Sequence, residues 1–226
     1  MIKFKNALNW IFRSFIWLAV LLLFLDILSK NLVIAHGGEI VAKGGIILIP
    51  GFLRISYVIN QNIAFGISLG SPLVTQIVFS IFAILIVVGI IIFLVKKWDK
   101  INLYYKACAM LIIAGALGNV IDRLFYNAAY LNADGATGVV DWIDFYGVWK
   151  FNFNIADSAV VVGAFMLIIY MIVDEIIAYS KKRKALKEVE VKEVKQEKVL
   201  SKTEREKQQL LEESKNTNDS EIKDHE

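Results

Sequence analysis

The chain has 226 residues, 57% of them hydrophobic, and 25 Lys and Arg against 22 Asp and Glu give a formal net charge of +3. That composition excludes an ordinary soluble domain, and so small a net charge makes no case for nucleic acid. With only His36, His225 and a lone Cys108 in an apolar run, an intrachain disulfide is excluded and Ser-His-Asp, Cys-His or His-rich metal sites are poorly supported, so acid–base chemistry falls to carboxylates.

A membrane-spanning helix needs about 20 mostly apolar residues. The first such stretch is roughly Trp10 to Leu28, with Arg13 near its start and Asp26 near its end. Lys3 and Lys5 resemble the basic region of a secretory leader. The apolar run is long, however, and no small-x-small site follows Leu28, so an uncleaved span is expected. Asp26 and Lys30 lie four apart at its outer end, the spacing of an ion pair on a helix surface.

Residues 39–59 read as strands. Gly44-Gly45 and Pro50-Gly51 are turn signals, and β-branched residues fill Ile46 to Ile49 and Phe52 to Ile59. Leu53, Ile55, Tyr57 and Ile59 alternate with Arg54 and Ser56, as in a half-exposed strand. A small sheet outside the membrane is expected, either a structural cap or a surface that grips an extended peptide. Asn60 and Asn62 follow it as turn-forming residues.

The second span, roughly Val74 to Val95, carries no charge, and the third, roughly Leu103 to Ile121, carries Lys106. The connection Leu124 to Phe153 contains Asp134, Asp141 and Asp144 among aromatics such as Tyr130, Trp142 and Trp149, which suit the headgroup level. The fourth span runs roughly Ile155 to Ala178, with Asp157 at its start and Asp174 and Glu175 near its end. Residues 181–226 mix both charge signs and read as a solvated, partly helical or disordered tail, whose first cluster, Lys181 to Lys184, suits anionic headgroups.

The expected fold is therefore membrane all-α. Four transmembrane helices carry a small extracytoplasmic β-sheet between helices one and two. Residues 1–180 form the membrane part, with the β segment at about 39–66, and 181–226 form a cytoplasmic tail. Lys and Arg gather at the N-terminus, between spans two and three, and after span four. Both termini are thus expected in the cytoplasm, and the two longer connections outside.

Two polar patterns stand at the outer boundary. Asn119-Val-Ile-Asp122 ends span three and Asn154-Ile-Ala-Asp157 begins span four, each with Asn and Asp on one helix face. Two nearby carboxylates share one proton, so one partner can activate water while the other polarises a carbonyl. Asp157, without a charged sequence neighbour, is the preferred member. Asp141 and Asp144 both sit among apolar neighbours, and this reading does not separate them. Asp122, beside Arg123, reads as structural. The competing reading is interfacial carboxylates that merely face water.

These residues fall into motifs. Asp26-Ile-Leu-Ser-Lys30 comes first, then Tyr57-Val-Ile-Asn60 with Ala64-Phe65-Gly66. Gly115-Ala-Leu-Gly-Asn119-Val-Ile-Asp122-Arg123 follows, then Val139-Val140-Asp141-Trp142 and Phe153-Asn154-Ile-Ala-Asp157-Ser158. In this order and at these membrane positions, the chain resembles lipoprotein signal peptidase, or signal peptidase II, a family of bacterial membrane aspartyl peptidases. The resemblance covers roughly residues 20–175. It implies four membrane helices, an extracytoplasmic β-cradle, and removal of signal peptides from prolipoproteins just before a diacylglyceryl-modified cysteine.

Carried onto this chain, the resemblance makes Asp141 and Asp157 the catalytic pair. Asn60, Asn119, Arg123 and Asn154 become supporting or substrate-contacting residues, Asp122 a neighbour of the site, and Asp26 and Lys30 further motif positions. It implies no cofactor, no metal and no nucleic-acid partner, prolipoprotein substrates and membrane lipids as partners, the bacterial inner membrane as location, and action as a monomer. The chain departs from the family pattern at Asn62-Ile63, where Gly-Ala is common, and in the length between Arg123 and Asp141. The alternative is a small transporter or channel component, which would place polar groups near the midplane. Here the midplane of every span is apolar.

Overall fold

The computed structural model describes residues 12–61, 69–126 and 138–223. Among the described residues, four helices are long and apolar enough to cross a membrane: α1 (Ile16–Ala35), α3 (Pro72–Lys97), α4 (Leu103–Ile121) and α5 (Ile155–Lys223). At 1.5 Å per residue, the 20 residues of α1 reach about 30 Å, the thickness of a hydrocarbon core. Between α1 and α3 lie a short helix α2 (Gly37–Ala42) and strands β1 (Ile46–Ile49) and β2 (Leu53–Asn60). Strands β3 (Val139–Asp144) and β4 (Asn152–Phe153) precede α5.

Local signals set the helix ends. The Ser71 hydroxyl caps α3 by accepting from Val74 N at 3.2 Å, with Pro72 at the first helical position. The Asn102 side chain caps α4 by accepting from the amides of Tyr104 and Tyr105, both at 3.1 Å. Beyond Ile121 the helix widens into a π-type turn, Asp122–Tyr126, which begins at the residues that matter below.

The structure corrects several expectations. The first helix runs on to Ala35, beyond Asp26, which lies level with the end of α4 and the start of α5. Residues 39–42, expected as strand, belong to the helix Gly37–Ala42. The sheet is not confined to the link between the first two spans. It has four antiparallel strands in the order β1-β2-β3-β4, two of them from the segment assigned to the headgroup level. The last helix continues beyond the span into the tail, to Lys223, since no Gly or Pro follows Gly163 to break it. Packing divides the chain into Met1–Tyr170 and Met171–Glu226. The second is helical to Lys223, and everything below concerns the first.

Helix α4 is the most enclosed span, half buried where α1 and α3 are 17% buried. Val87 and Leu94 of α3 pack on Met110 and Ile113 of α4. Glycines bring the N-terminal turns of α5 against α4. A Cβ at Gly115 would stand 2.2 Å from the Ala156 carbonyl oxygen, and one at Gly118 would stand 2.7 Å from Asp26 Oδ2 and 2.9 Å from Ala156 Cβ. Small residues at such positions let membrane helices approach closely. Here they draw α1, α4 and α5 together at one depth. Beneath the sheet, Val33 of α1, Ile40 of α2 and Val140 of β3 form a second apolar cluster with Tyr57 and Trp142.

Candidate active site

The sheet register places the first carboxylate. On β2 and β3, Val58 pairs with Asp141 and Asn60 with Val139, so Asn60 and Asp141 are diagonal neighbours on one face. The Asn60 amide donates to Asp141 Oδ2 at 2.8 Å. Asp144, three residues further along the strand, points to the opposite face. There it is 2.6 Å from Arg54 Nε, directly across the ladder. The two aspartates that the sequence left equivalent are separated by the two-residue period of the strand.

The second carboxylate is placed by the start of α5. Asn154 and Asp157 form a reciprocal cap. Asp157 N donates to Asn154 Oδ1 at 2.9 Å, and Asn154 N donates to Asp157 Oδ2 at 3.3 Å. This capping box satisfies two orphan amides and fixes the Asp157 carboxylate over the helix N-terminus, where the helix dipole favours negative charge. The Asn154 side chain has a second use. Its Nδ2 donates to Asp141 Oδ1 at 2.8 Å. One fully buried asparagine thus holds both aspartates.

Helix α4 supplies the other support. Asn119 Nδ2 donates to Asp157 Oδ1 at 2.7 Å, and Asn119 Oδ1 accepts from Asn154 Nδ2 at 3.2 Å. Behind it lies a buried ionic cluster. Lys30 Nζ is 2.6 Å from Asp26 Oδ2 and 2.9 Å from Asp122 Oδ2, and all three side chains are 1% exposed. This is not the surface pair that the spacing of Asp26 and Lys30 suggested. Asp26 Oδ1 also accepts from Ala156 N at 2.8 Å, capping α5 from α1. Asp122, expected to pair with its chain neighbour Arg123, forms its ion pair with Lys30 and accepts from Val140 N at 3.3 Å.

The expected residues Asn60, Asn119, Asn154, Asp141 and Asp157 therefore form one network, with Asp26, Lys30 and Asp122 behind it. Arg123 is half-buried and lies in the electrostatic field of Asp157, Asp122 and Asp141. Asp144 belongs elsewhere. Asn62-Ile63, Ala64-Phe65-Gly66 and Asp134 lie outside the described residues. Sequence reasoning quoted Gly115 and Gly118 without a role, although their three-residue spacing before Asn119 on a spanning helix signals close helix approach. Among the described residues, no group of three or more His, Cys, Asp and Glu side chains is arranged to hold a metal ion.

The two carboxyl groups lie in one another's field and differ in exposure. Burial, followed by the Asp157 charge, pushes the Asp141 carboxyl up to about 7, against the opposing pull of Asn60, Lys30 and Asn154. Asp141 is 2% exposed, whereas Asp157 keeps partial access to solvent. The arrangement holds one deeply buried and one solvent-reachable carboxyl group on amide donors, and two such neighbours can share one proton. That is the equipment for adding water to an amide carbonyl.

A model of the family described as signal peptidase (SPase) II matches residues 18–173. The lipoprotein signal peptidase of Fusobacterium nucleatum is 36% identical over 171 residues, 75% of this chain and 90% of the relative. That of Coxiella burnetii is 37% identical over 173 residues, 75% of this chain and 93% of the relative. A bacterial membrane enzyme solved by the in meso method at 2.3 Å superposes with a TM-score of 0.54 at 29% identity, covering 71% of this chain and 88% of that one.

Proposed function

The chain belongs to the signal peptidase II family, and we propose that Asp141 and Asp157 are its catalytic pair, cleaving diacylglyceryl-modified prolipoproteins just before the lipidated cysteine. It is a bacterial multi-pass membrane peptidase with four apolar helices. The observation that carries the catalytic reading is the Asn154 side chain, which bonds to Asp141 and to the Asp157 amide at once.

The pair works with one shared proton. Asp141, deeper and disfavoured as an anion, holds that proton and transfers it to the scissile carbonyl oxygen as the water adds. Asp157, reachable by solvent, takes a proton from water as the water oxygen attacks the carbonyl carbon. The tetrahedral intermediate then collapses: the C–N bond breaks, the amine leaves with the proton from Asp157, and the intermediate returns a proton to Asp141. Asn60, Asn119 and Asn154 hold the two carboxylates at fixed angles. Arg123 supplies positive charge beside them and faces the incoming peptide. The pair titrates as a unit.

Both termini lie in the cytoplasm in this reading, with the site at the outer face. Every group named comes from one chain, which supports action as a monomer, and the apolar belts of the helices meet lipid. Mass analysis of the released peptide tests the cut site. A product that retains residues ahead of the lipidated cysteine overturns it. Reporter fusions after Lys100 and after Lys184 should both report cytoplasm, and an outward report from either breaks the orientation.

The pH dependence follows from the sign of the Asp141 shift. Activity requires a proton on the pair, so kcat/KM falls as pH rises through the upper limb, near the about 7 of Asp141. Asn60 favours the ionised form by donating to it. In Asn60→Ala the upper limb therefore moves to higher pH while the plateau falls. A limb that moves down, or stays in place, places the shared proton elsewhere.

A further inference from the structure

We propose that Lys30 is a positioning residue, setting through Asn119 the direction of the hydrogen bonds that Asn119 and Asn154 bring to the aspartate pair; the inference rests on the catalytic reading of Asp141 and Asp157. An ammonium only donates, whereas an amide presents an oxygen at one end and an NH2 group at the other. The two ends have nearly the same shape. What faces Asn119 from behind therefore decides which end faces Asp157.

Lys30 Nζ stands 3.4 Å from Asn119 Oδ1. That is long for a hydrogen bond, and its effect is on orientation more than on strength. With the oxygen held toward the cation, Nδ2 meets Asp157 Oδ1 at 2.7 Å. A half-turn of the amide would set NH2 against ammonium and oxygen against carboxylate, two repulsive contacts in a dehydrated site. The choice is passed on. Asn119 Oδ1 also accepts from Asn154 Nδ2 at 3.2 Å. That fixes Asn154, whose Nδ2 then serves Asp141 and whose Oδ1 then accepts from Asp157 N. From one buried cation on α1, a single direction of donation runs to both carboxylates.

The cluster around Lys30 supports a role beyond stability. Lys30 and Asp26 face inward from α1 and Asp122 from the end of α4, each 1% exposed. Dehydrating three charges is costly, and apolar side chains of similar volume commonly serve stability as well or better. What apolar side chains cannot do is orient an amide. Among the described residues, the charged groups around the pair are Lys30 and Asp26 on α1 and Asp122 and Arg123 beyond α4.

The test must separate orientation from folding. Lys30→Met alone leaves two buried carboxylates without their cation, so the decisive variant is the charge-balanced Lys30→Met/Asp122→Asn, compared with Asp122→Asn in the full-length protein in lipid. Thermal unfolding, kcat, KM and the pH profile are measured on a lipid-modified prolipoprotein. The expectation is unfolding close to that of Asp122→Asn, kcat lower by about 10- to 100-fold, KM within about threefold, and an upper pH limb displaced upward. A double variant that folds and matches Asp122→Asn in kcat and profile overturns the proposal. Asn119→Asp is the second arm. It keeps an oxygen for Lys30 but brings no donor to Asp157, so it should show a similar kcat loss and displacement. Wild-type kcat and profile in that variant also overturn the proposal, whether or not the double variant folds. If Asp141→Asn and Asp157→Asn stay active, the catalytic reading fails instead.

Discussion

Asp157→Asn and Asp141→Asn should each lose at least about 10³-fold in kcat on a lipid-modified prolipoprotein, with the protein folded and inserted. General acid–base catalysis contributes about 10² to 10⁴ in rate, and here both functions pass through one proton. Asparagine has nearly the size of aspartate, so packing is preserved. At Asp157 the neutral amide cannot take the proton from water. At Asp141 it cannot supply the exchangeable acid proton, and its NH2 group would oppose a donor from Asn60 or Asn154. Asp144→Asn is the control. It weakens the pair with Arg54, on the other face of the strand, and should leave kcat within about fivefold, as expected for a half-exposed ion pair. Loss confined to Asp144→Asn would move the catalytic position along β3 and invalidate the pairing with Asp157.

Asn154→Ala should have the second-largest effect, and comparison with Asn154→Asp should resolve it into two parts. Alanine removes the side-chain cap on the Asp157 amide and the donor to Asp141 together. Loss of an N-cap costs about 1 kcal/mol, and a lost bond to a charged group costs about 1.5–3 kcal/mol. Aspartate keeps the capping oxygen but replaces the NH2 donor with a third carboxylate. Unfolding temperature should therefore fall in both, through the lost cap and bonds in Asn154→Ala and through repulsion between buried acceptors in Asn154→Asp. Activity should fall by at least about 10²-fold in both. Recovery of activity along with stability in Asn154→Asp would show that Asn154 acts only as a helix cap.

The spans were legible because twenty apolar residues have few other uses, and the start of α5 at Ile155 was read correctly from Asn-x-x-Asp. What that pattern meant was less visible. Its three-residue spacing marks one face of a helix, but it also makes a capping box, and only the fold shows both in use. The choice between Asp141 and Asp144 was hidden because 139–144 lies in an aromatic stretch that reads as a headgroup segment. Once the stretch is a strand, alternation puts the two on opposite faces, with Asp141 on the face of Asn60. Asp26 and Lys30 looked like a surface pair because the partner that buries them, Asp122, lies far along the chain on another helix. Spacing reports neighbours along a helix, not across helices. The motif Asn60 was found, but its diagonal relation to Asp141 depends on a register that shifts between Ile55 and Val58. No local pattern announces that shift.

The bond from Asp26 on the first span to the amide of Ala156 on the last has a bearing on how the protein is made. Ribosomes deliver α1 early and α5 near the end, and 130 positions separate the two ends of this bond. Until the final span enters the bilayer, the waiting carboxylate of α1 has no amide to hold, and Asn154 and Asp157 are absent from the site. On the proposed catalytic reading, every shorter nascent chain lacks one of the two aspartates, and activity waits for the last segment to insert.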